Sequence, residues 1–424
     1  MHHVSFALRL RISLAATAAL FALDAAAQPV ELTLGEALQI AAQRSRQLDA
    51  ESAAADAARE MAAAAQEAPD PMLTLALTNV PANGPDAFSL TRDFMTMRSI
   101  GWGRQLTRDD KRDARSARYR LEADAAEVSR VTVLAELQRG AANAWLERYY
   151  TSRIGELLHR QRDESALQIE AADLSFRAGA GPQSDLFAAR AAAAKIDDRI
   201  AANDRDAEIA GTRLERWVGE AARRPLAAPP AIDSVPLEAA KLDSDLLHHP
   251  EIQLMAKEEE IAEADAEIAR TNKRSDWTVE VMYGFRGPGY SNMMSVNVSK
   301  PLQFHERNRQ DRELAAKLAL AQRLRAERDE ATREHVAETQ ALLSGWTRNR
   351  GRLGRYESTL VPLAVERTGA AMAAYRSGTG TLSSVLDARA AELETRIDQL
   401  DLEMETAGLW AQLNYLLPAD VAHH

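Results

Sequence analysis

The spacing of apolar positions changes along the chain, and each change marks an expected element. In "LTLGEALQIAAQRSRQLDAESAAADAAREMAAAAQEA", Leu34, Leu38 and Ala41 fall on one stripe of a helix built from good helix formers, until Pro69 and Pro71 stop it. "PMLTLALTNV" then alternates, with Leu73, Leu75 and Leu77 opposite Thr74, Ala76 and Thr78. "DFMTMRSIGWGRQL" follows as a second strand whose Arg98 spoils simple alternation. From about Arg108 to Ala178 there is no proline and little glycine. A helix of some 70 residues there would run roughly 100 Å at about 1.5 Å per residue.

The same order then recurs. "DWTVEVMYGF" sets Trp277, Val279, Val281, Tyr283 and Phe285 against Thr278, Glu280, Met282 and Gly284, and "NMMSVNVSKPL" sets Met294, Val296 and Val298 against Ser295, Asn297 and Ser299. A second long helical stretch runs from about His305 to Tyr375, with Pro362 as its expected kink. Both long stretches end in nearly one motif, "FRAGAGPQSDLFAAR" from Phe176 and "YRSGTGTLSSVLDAR" from Tyr375. Arg177 aligns with Arg376, Gly179 with Gly378, Gly181 with Gly380, Ser184 with Ser383 and Arg190 with Arg389. A repeat this long indicates two homologous halves that build one substructure twice. Gly179 and Gly378 suit the left-handed backbone that ends a helix, and return helices begin at about Pro182 and Leu382. The expected class is mainly α with a small β part: two long antiparallel helical hairpins and four strands.

The division follows. Residues 1–27 read as a signal peptide, 28–220 as the first repeat and 251–418 as the second, with a Pro-rich junction at 221–250 and a tail at 419–424. The first repeat carries a strand pair at 71–106 and a turn at 178–184; the second, a strand pair at 276–302 and a turn at 377–383. In the leader Arg9 and Arg11 precede the apolar run Ile12 to Leu23, and Ala25, Ala26 and Ala27 supply small residues, so cleavage is expected after Ala27.

Composition removes several function classes. The 424 residues include no cysteine, which excludes disulfides, thiolate zinc sites and an acylated N-terminal cysteine. A net charge of −11 argues against nucleic-acid binding. No Ser/His/Asp order, phosphate loop or zinc-protease motif occurs, so neither an enzyme nor a cofactor is expected. His248 and His249 lie in the junction with no other histidine near them in sequence, and are read as solvated rather than metal-binding. Met95, Met97, Met293 and Met294 have the softness for Cu(I), but methionine in or beside strands is also ordinary apolar filler. No metal site is assigned.

Alternation alone leaves the strands open to two readings, a membrane barrel with a wet lumen or two hairpins packed on a soluble core. If they span a membrane, four are too few to close, since open edges are not tolerated in lipid and the smallest barrels use about eight strands. Several chains would then share one barrel.

The paired "FRAGAGPQSDLFAAR" and "YRSGTGTLSSVLDAR", the start "LTLGEALQIAAQRSRQL" and the strand pairs before the long helices resemble the TolC-like outer-membrane efflux family across essentially the whole mature chain. The resemblance implies a homotrimer in the outer-membrane lipid of a Gram-negative cell, its shared barrel of about twelve strands continued by a periplasmic barrel of α-helices. Such proteins are passive ducts that dock through a periplasmic adaptor onto an inner-membrane pump. "PDPMLTLALTNVPANG" and "DFMTMRSIGWGRQLTRDDKR" look most like the branch paired with heavy-metal pumps of the resistance-nodulation-division type. Export of drugs or other small organic compounds, or service in type I secretion, are the alternatives. A periplasmic adaptor is the competing class, but it would normally show one hairpin flanked by lipoyl-like segments. The resemblance further implies docking turns around Arg177, Gly179, Gly181, Arg376, Gly378 and Gly380, and a periplasmic gate. Asp387 matches an acidic position of that gate and Asp185 a linking acid; Ser384 stands where relatives place another aspartate, and Gly380 where they place a linking arginine.

Overall fold

The computed structural model describes residues 31–236 and 249–418. The expected signal peptide with its cleavage after Ala27, His248 and the C-terminal tail therefore lie outside the described residues. The chain is mainly helical with one small sheet. In chain order the principal elements are α1 (Leu34–Arg44), α2 (Arg46–Gln66), β1 (Met72–Thr78), β2 (Met97–Leu106), α3 (Asp109–Arg177), α4 (Gln183–Val218), α5 (Pro250–Asn272), β3 (Trp277–Phe285), β4 (Met293–Ser299), α6 (Gln310–Arg355), α7 (Val361–Arg376) and α8 (Leu382–Asn414). No described helix is both long and apolar enough to cross a membrane.

Two compact units emerge, and each draws on both halves of the duplication. Among the described residues, one comprises 31–44 with Gly140–Asp233 and Arg350–Gly408; the other comprises Ser45–Arg139, 234–236, 249–349 and 409–418.

The first unit is helical. α3 and α4 form one hairpin, α7 and α8 the other, and they share apolar layers. Leu158, Ile196 and Leu393 make one layer with Ile154, Ile200 and Ile397; Ala172, Leu186, Ala189 and Leu382 make another with Ile169, Tyr375 and Leu386. Alanine at so many buried positions lets the helices approach closely, and each fully buried Leu or Ile in these layers contributes about 1.5–3 kcal/mol. The segment at Leu32 is clasped onto this unit. Leu32 bridges Leu226 in parallel, and its carbonyl accepts from the indole N–H of the fully buried Trp145 at 3.1 Å. Thr33 then caps α1 by accepting from the Glu36 N–H at 3.1 Å.

The second long stretch is continuous but not uniform. Between α6 and α7 the residues Tyr356–Leu360 form a π turn, in which the Val361 N–H reaches the Tyr356 carbonyl. Pro362 has no N–H and its ring crowds the carbonyl four residues back, so the helix widens by one residue just before it.

In the second unit β1, β2, β3 and β4 form one antiparallel sheet in sequence order. β2 pairs with β3 as well as with β1, which joins the two strand pairs; Trp102 stands opposite Leu73 on one side and Val281 on the other. β2 is a regular strand from Met97 despite Arg98. Arg98 and Arg104 sit near opposite ends of β2, where their heads reach backbone carbonyls of Arg286 and Pro69, the behaviour of long basic side chains whose stems cover apolar surface.

Candidate functional sites: the hairpin turns and the exposed sheet face

The two glycine turns have one geometry. Gly179 has φ +71° and Gly378 φ +74°, the left-handed conformation that closes a helix at little cost only with glycine. The Ala180 N–H returns to the Ser175 carbonyl at 2.9 Å, and the Thr379 N–H to the Ala374 carbonyl at 2.9 Å. Gly181 and Gly380 serve a different need. A Cβ at Gly181 would stand 2.7 Å from Ser175 Oγ, and one at Gly380 3.0 Å from Ala374 Cβ. The return helices start differently: Pro182 precedes α4 without a side-chain cap, whereas Thr381 Oγ1 accepts from the Ser384 N–H at 3.2 Å.

Arg177 and Arg376 are exposed beside their turns, Arg177 pairing with Asp173 at 2.8 Å. Leu186, Leu382 and Tyr375 share one apolar cluster, so the two turn regions are brought together. Asp185 lies half-buried in the first turn of α4 and Asp387 exposed on α8. Neither side chain makes an ion pair or hydrogen bond among the described residues. Asp387 borders a groove of about 380 Å³ that also holds Lys195, Arg199, Arg389 and Glu394. Ser384 turns its hydroxyl back to the Thr381 carbonyl at 2.7 Å.

The polar links between the hairpins run through other residues. Arg389 on α8 pairs with Glu164 on α3, and Arg199 on α4 with Glu394 on α8. Arg389 carried a signal in the sequence, since the repeat aligns it with Arg190. Glu164, Arg199 and Glu394 carried none, being ordinary charges on long helices.

On the sheet, the apolar set Leu73, Leu75, Leu77, Ile100, Trp102, Trp277, Val281, Tyr283, Phe285, Met294, Val296 and Val298 is exposed. The register puts these side chains on one face: Leu75 opposite Ile100, Ile100 opposite Tyr283, Tyr283 opposite Met294. The other face carries Thr74, Ser99, Glu280, Asn297 and Ser295, and Gly101 there leaves the space that Met282 fills, since a Cβ would lie 2.8 Å from Met282 Cγ. The methionines divide between the faces. Met294 is on the apolar side, while Met97 and Met293 are on the side of Gly284.

One expectation is overturned. His249 is not solvated: it is 3% exposed, and its ring lies 4.8 Å, centroid to centroid, from that of His335. Eighty-odd residues of chain separate the two, so linear spacing could not reveal the pairing. Burial first, then His335 and Arg139 nearby, push the His249 pKa down to about 4.

No protein-family model matches the chain, and no curated protein matches it. Solved structures do, at low sequence identity. CusC, from work on its folding and transmembrane channel formation, matches with TM-score 0.76 and 16% identity over 92% of this chain and 93% of that one. The outer membrane protein VceC of Vibrio cholerae matches with TM-score 0.73 and 18% identity over 91% and 96%. The MtrE outer membrane channel of Neisseria gonorrhoeae matches with TM-score 0.73 and 15% identity over 92% and 89%. The chain thus has the fold that CusC, VceC and MtrE share.

Proposed function

We propose that the chain is the outer-membrane duct of a tripartite efflux system, three copies completing one barrel of about twelve strands. The observation that carries this reading is the sheet: four strands, open at both edges, with large apolar side chains exposed on one face and polar ones on the other. An open edge and an apolar face of this kind are costly in water and tolerated in lipid only when the sheet closes. The shared fold with outer-membrane channels supports it.

The substrate class is a heavy-metal cation delivered by an inner-membrane resistance-nodulation-division pump through a periplasmic adaptor, a reading supported by the resemblance of the first strand pair. The turns at Gly179 and Gly378 offer the adaptor two equivalent docking ends. Asp387 and Asp185 are the acids of a periplasmic gate, with Ser384 as its weakened position, and carboxylates near a threefold axis would concentrate cations at the constriction. The test is cell fractionation with crosslinking, followed by a sensitivity panel of a deletion strain. The expected result is a trimer in the outer-membrane fraction and heightened sensitivity to zinc, cobalt, cadmium or copper. A soluble monomer would overturn the duct. An outer-membrane trimer whose loss sensitises cells to dyes and antibiotics but not to metals would overturn the cargo alone.

A further inference from the structure

Away from the turns and the sheet face, one cluster has metal-ligand chemistry. His249 occupies the N-cap position of α5 without a side-chain capping bond, and Glu251 lies in the helix's first turn; His335 projects from α6. His335 Nε2 is 3.0 Å from Glu251 Oε2, and one donor atom from each of the three residues lies within 4.8 Å of the others. A second observation points to a ligand: His249 is 3% exposed, yet neither of its ring nitrogens has a hydrogen-bond partner among the described residues. A buried imidazole with both nitrogens idle forfeits bonds it would make in water.

The geometry points to a divalent-cation site formed by His249, Glu251 and His335, suited to a borderline ion such as Zn²⁺ or Co²⁺. Two imidazoles and one carboxylate, with a fourth position left to water, are a donor set these ions take. Bonds of about 2.0–2.2 Å place tetrahedral donors about 3.3–3.5 Å apart. The pair His335–Glu251 is already near that spacing, and Glu251, half exposed, can rotate to close the rest. Around this set Glu338 stands 3.9 Å from His335 Nδ1 and adds negative charge behind the imidazole. Arg139 and the positive end of α5 oppose a cation, and the two carboxylates offset them. A bound ion would tie the start of α5 to α6, a staple independent of what the duct exports.

The test uses tag-free full-length protein in detergent, stripped with chelator and titrated with Co²⁺ by visible absorption, then with Zn²⁺ in competition. Wild type should take one ion per chain with a tetrahedral-type spectrum, and Zn²⁺ should raise its melting temperature. Glu251→Gln alters a half-exposed position and His335→Gln a mostly buried one, so the folding of both variants is verified by circular dichroism. Each should weaken binding at least about tenfold and abolish the thermal shift. Wild type that binds neither ion, or variants that bind as well as wild type, would overturn the site. Neither result bears on the duct, because no transport is measured.

Discussion

In the sheet, Leu73, Leu75, Trp102, Met294 and Val296 stand exposed, while at the foot of the strands Lys111 and Asp276 are buried against each other at 3.1 Å. At the hairpin ends the arrangement is reversed. Leu158, Leu186, Ile196 and Leu393 are buried, and the pairs Arg199–Glu394 and Arg162–Asp197 lie open to solvent. The hairpins follow the usual partition of a chain in water. The sheet does not, and the duct proposed above accounts for this by turning its apolar side to lipid.

The largest expected effect tests the buried charges. Lys111→Met strands Asp276, which also accepts from Gln105 at 3.1 Å, and should cost about 3–5 kcal/mol. Adding Asp276→Leu should restore most of that loss, since the pair's value lies in not leaving one charge alone. The counterpart at the hairpins, Arg199→Met, removes an exposed pair and should cost no more than about 1 kcal/mol. Denaturant or thermal unfolding of the three variants measures the contrast, and equal losses at both places would erase it.

A smaller effect addresses the solvent itself. Leu75 is 74% exposed; in lipid, Leu75→Arg should cost about 2–4 kcal/mol at mid-depth. The same charge introduced by Ala194→Arg on the exposed side of α4 should stay within about ±0.5 kcal/mol. Refolding into lipid vesicles, with stability read by denaturant titration, separates the two. If Leu75→Arg is as mild as Ala194→Arg, the apolar face meets water or protein rather than lipid.

The periodic features of this fold were legible in sequence, and the features that depend on distant partners were not. The 69-residue α3 followed from the absence of proline and scarcity of glycine, and the left-handed turns from glycines repeated in register. Period two exposed the strand faces, but not the β2–β3 pairing that merges two strand pairs into one sheet, because pairing is a long-range choice. Arg98 blurred β2 since a strand-end arginine can keep its stem on the apolar face and its head on a carbonyl. Pro362 announced a defect without saying that a π turn would absorb it. His249 looked solvated because its partner, His335, comes from another helix, and Glu164 and Glu394 were hidden among many like charges.

The smallest prediction uses acid to tell the two regions apart. In the hairpin unit Asp401 has its pKa raised, by burial first and then by Asp398 and Glu394, and Glu403 is raised chiefly by burial. In the sheet unit burial would raise Asp265 too, but hydrogen bonds from Lys317 at 2.7 Å and Arg118 at 2.5 Å outweigh it and hold the carboxyl low. The signs are opposite. A carboxylate raised on folding is disfavoured when charged, so its contribution is best below the unfolded value and is lost as pH rises through the folded one. A depressed carboxylate contributes above its unfolded value and loses that contribution as pH falls through its folded one. Lowering pH from 7 toward 4 should therefore relieve the strain around Asp401 and Glu403, with loss of the Asp265 contribution beginning only at the acid end. Hydrogen exchange of α8 and α5 across this range reads the two units separately. Asp401→Asn should slow exchange of α8 at pH 7 and flatten its pH dependence, whereas Asp265→Asn should speed exchange of α5 at pH 7 and remove its acid loss. Parallel pH profiles for the two helices in wild type would show that the two carboxyl environments do not differ in the sense argued.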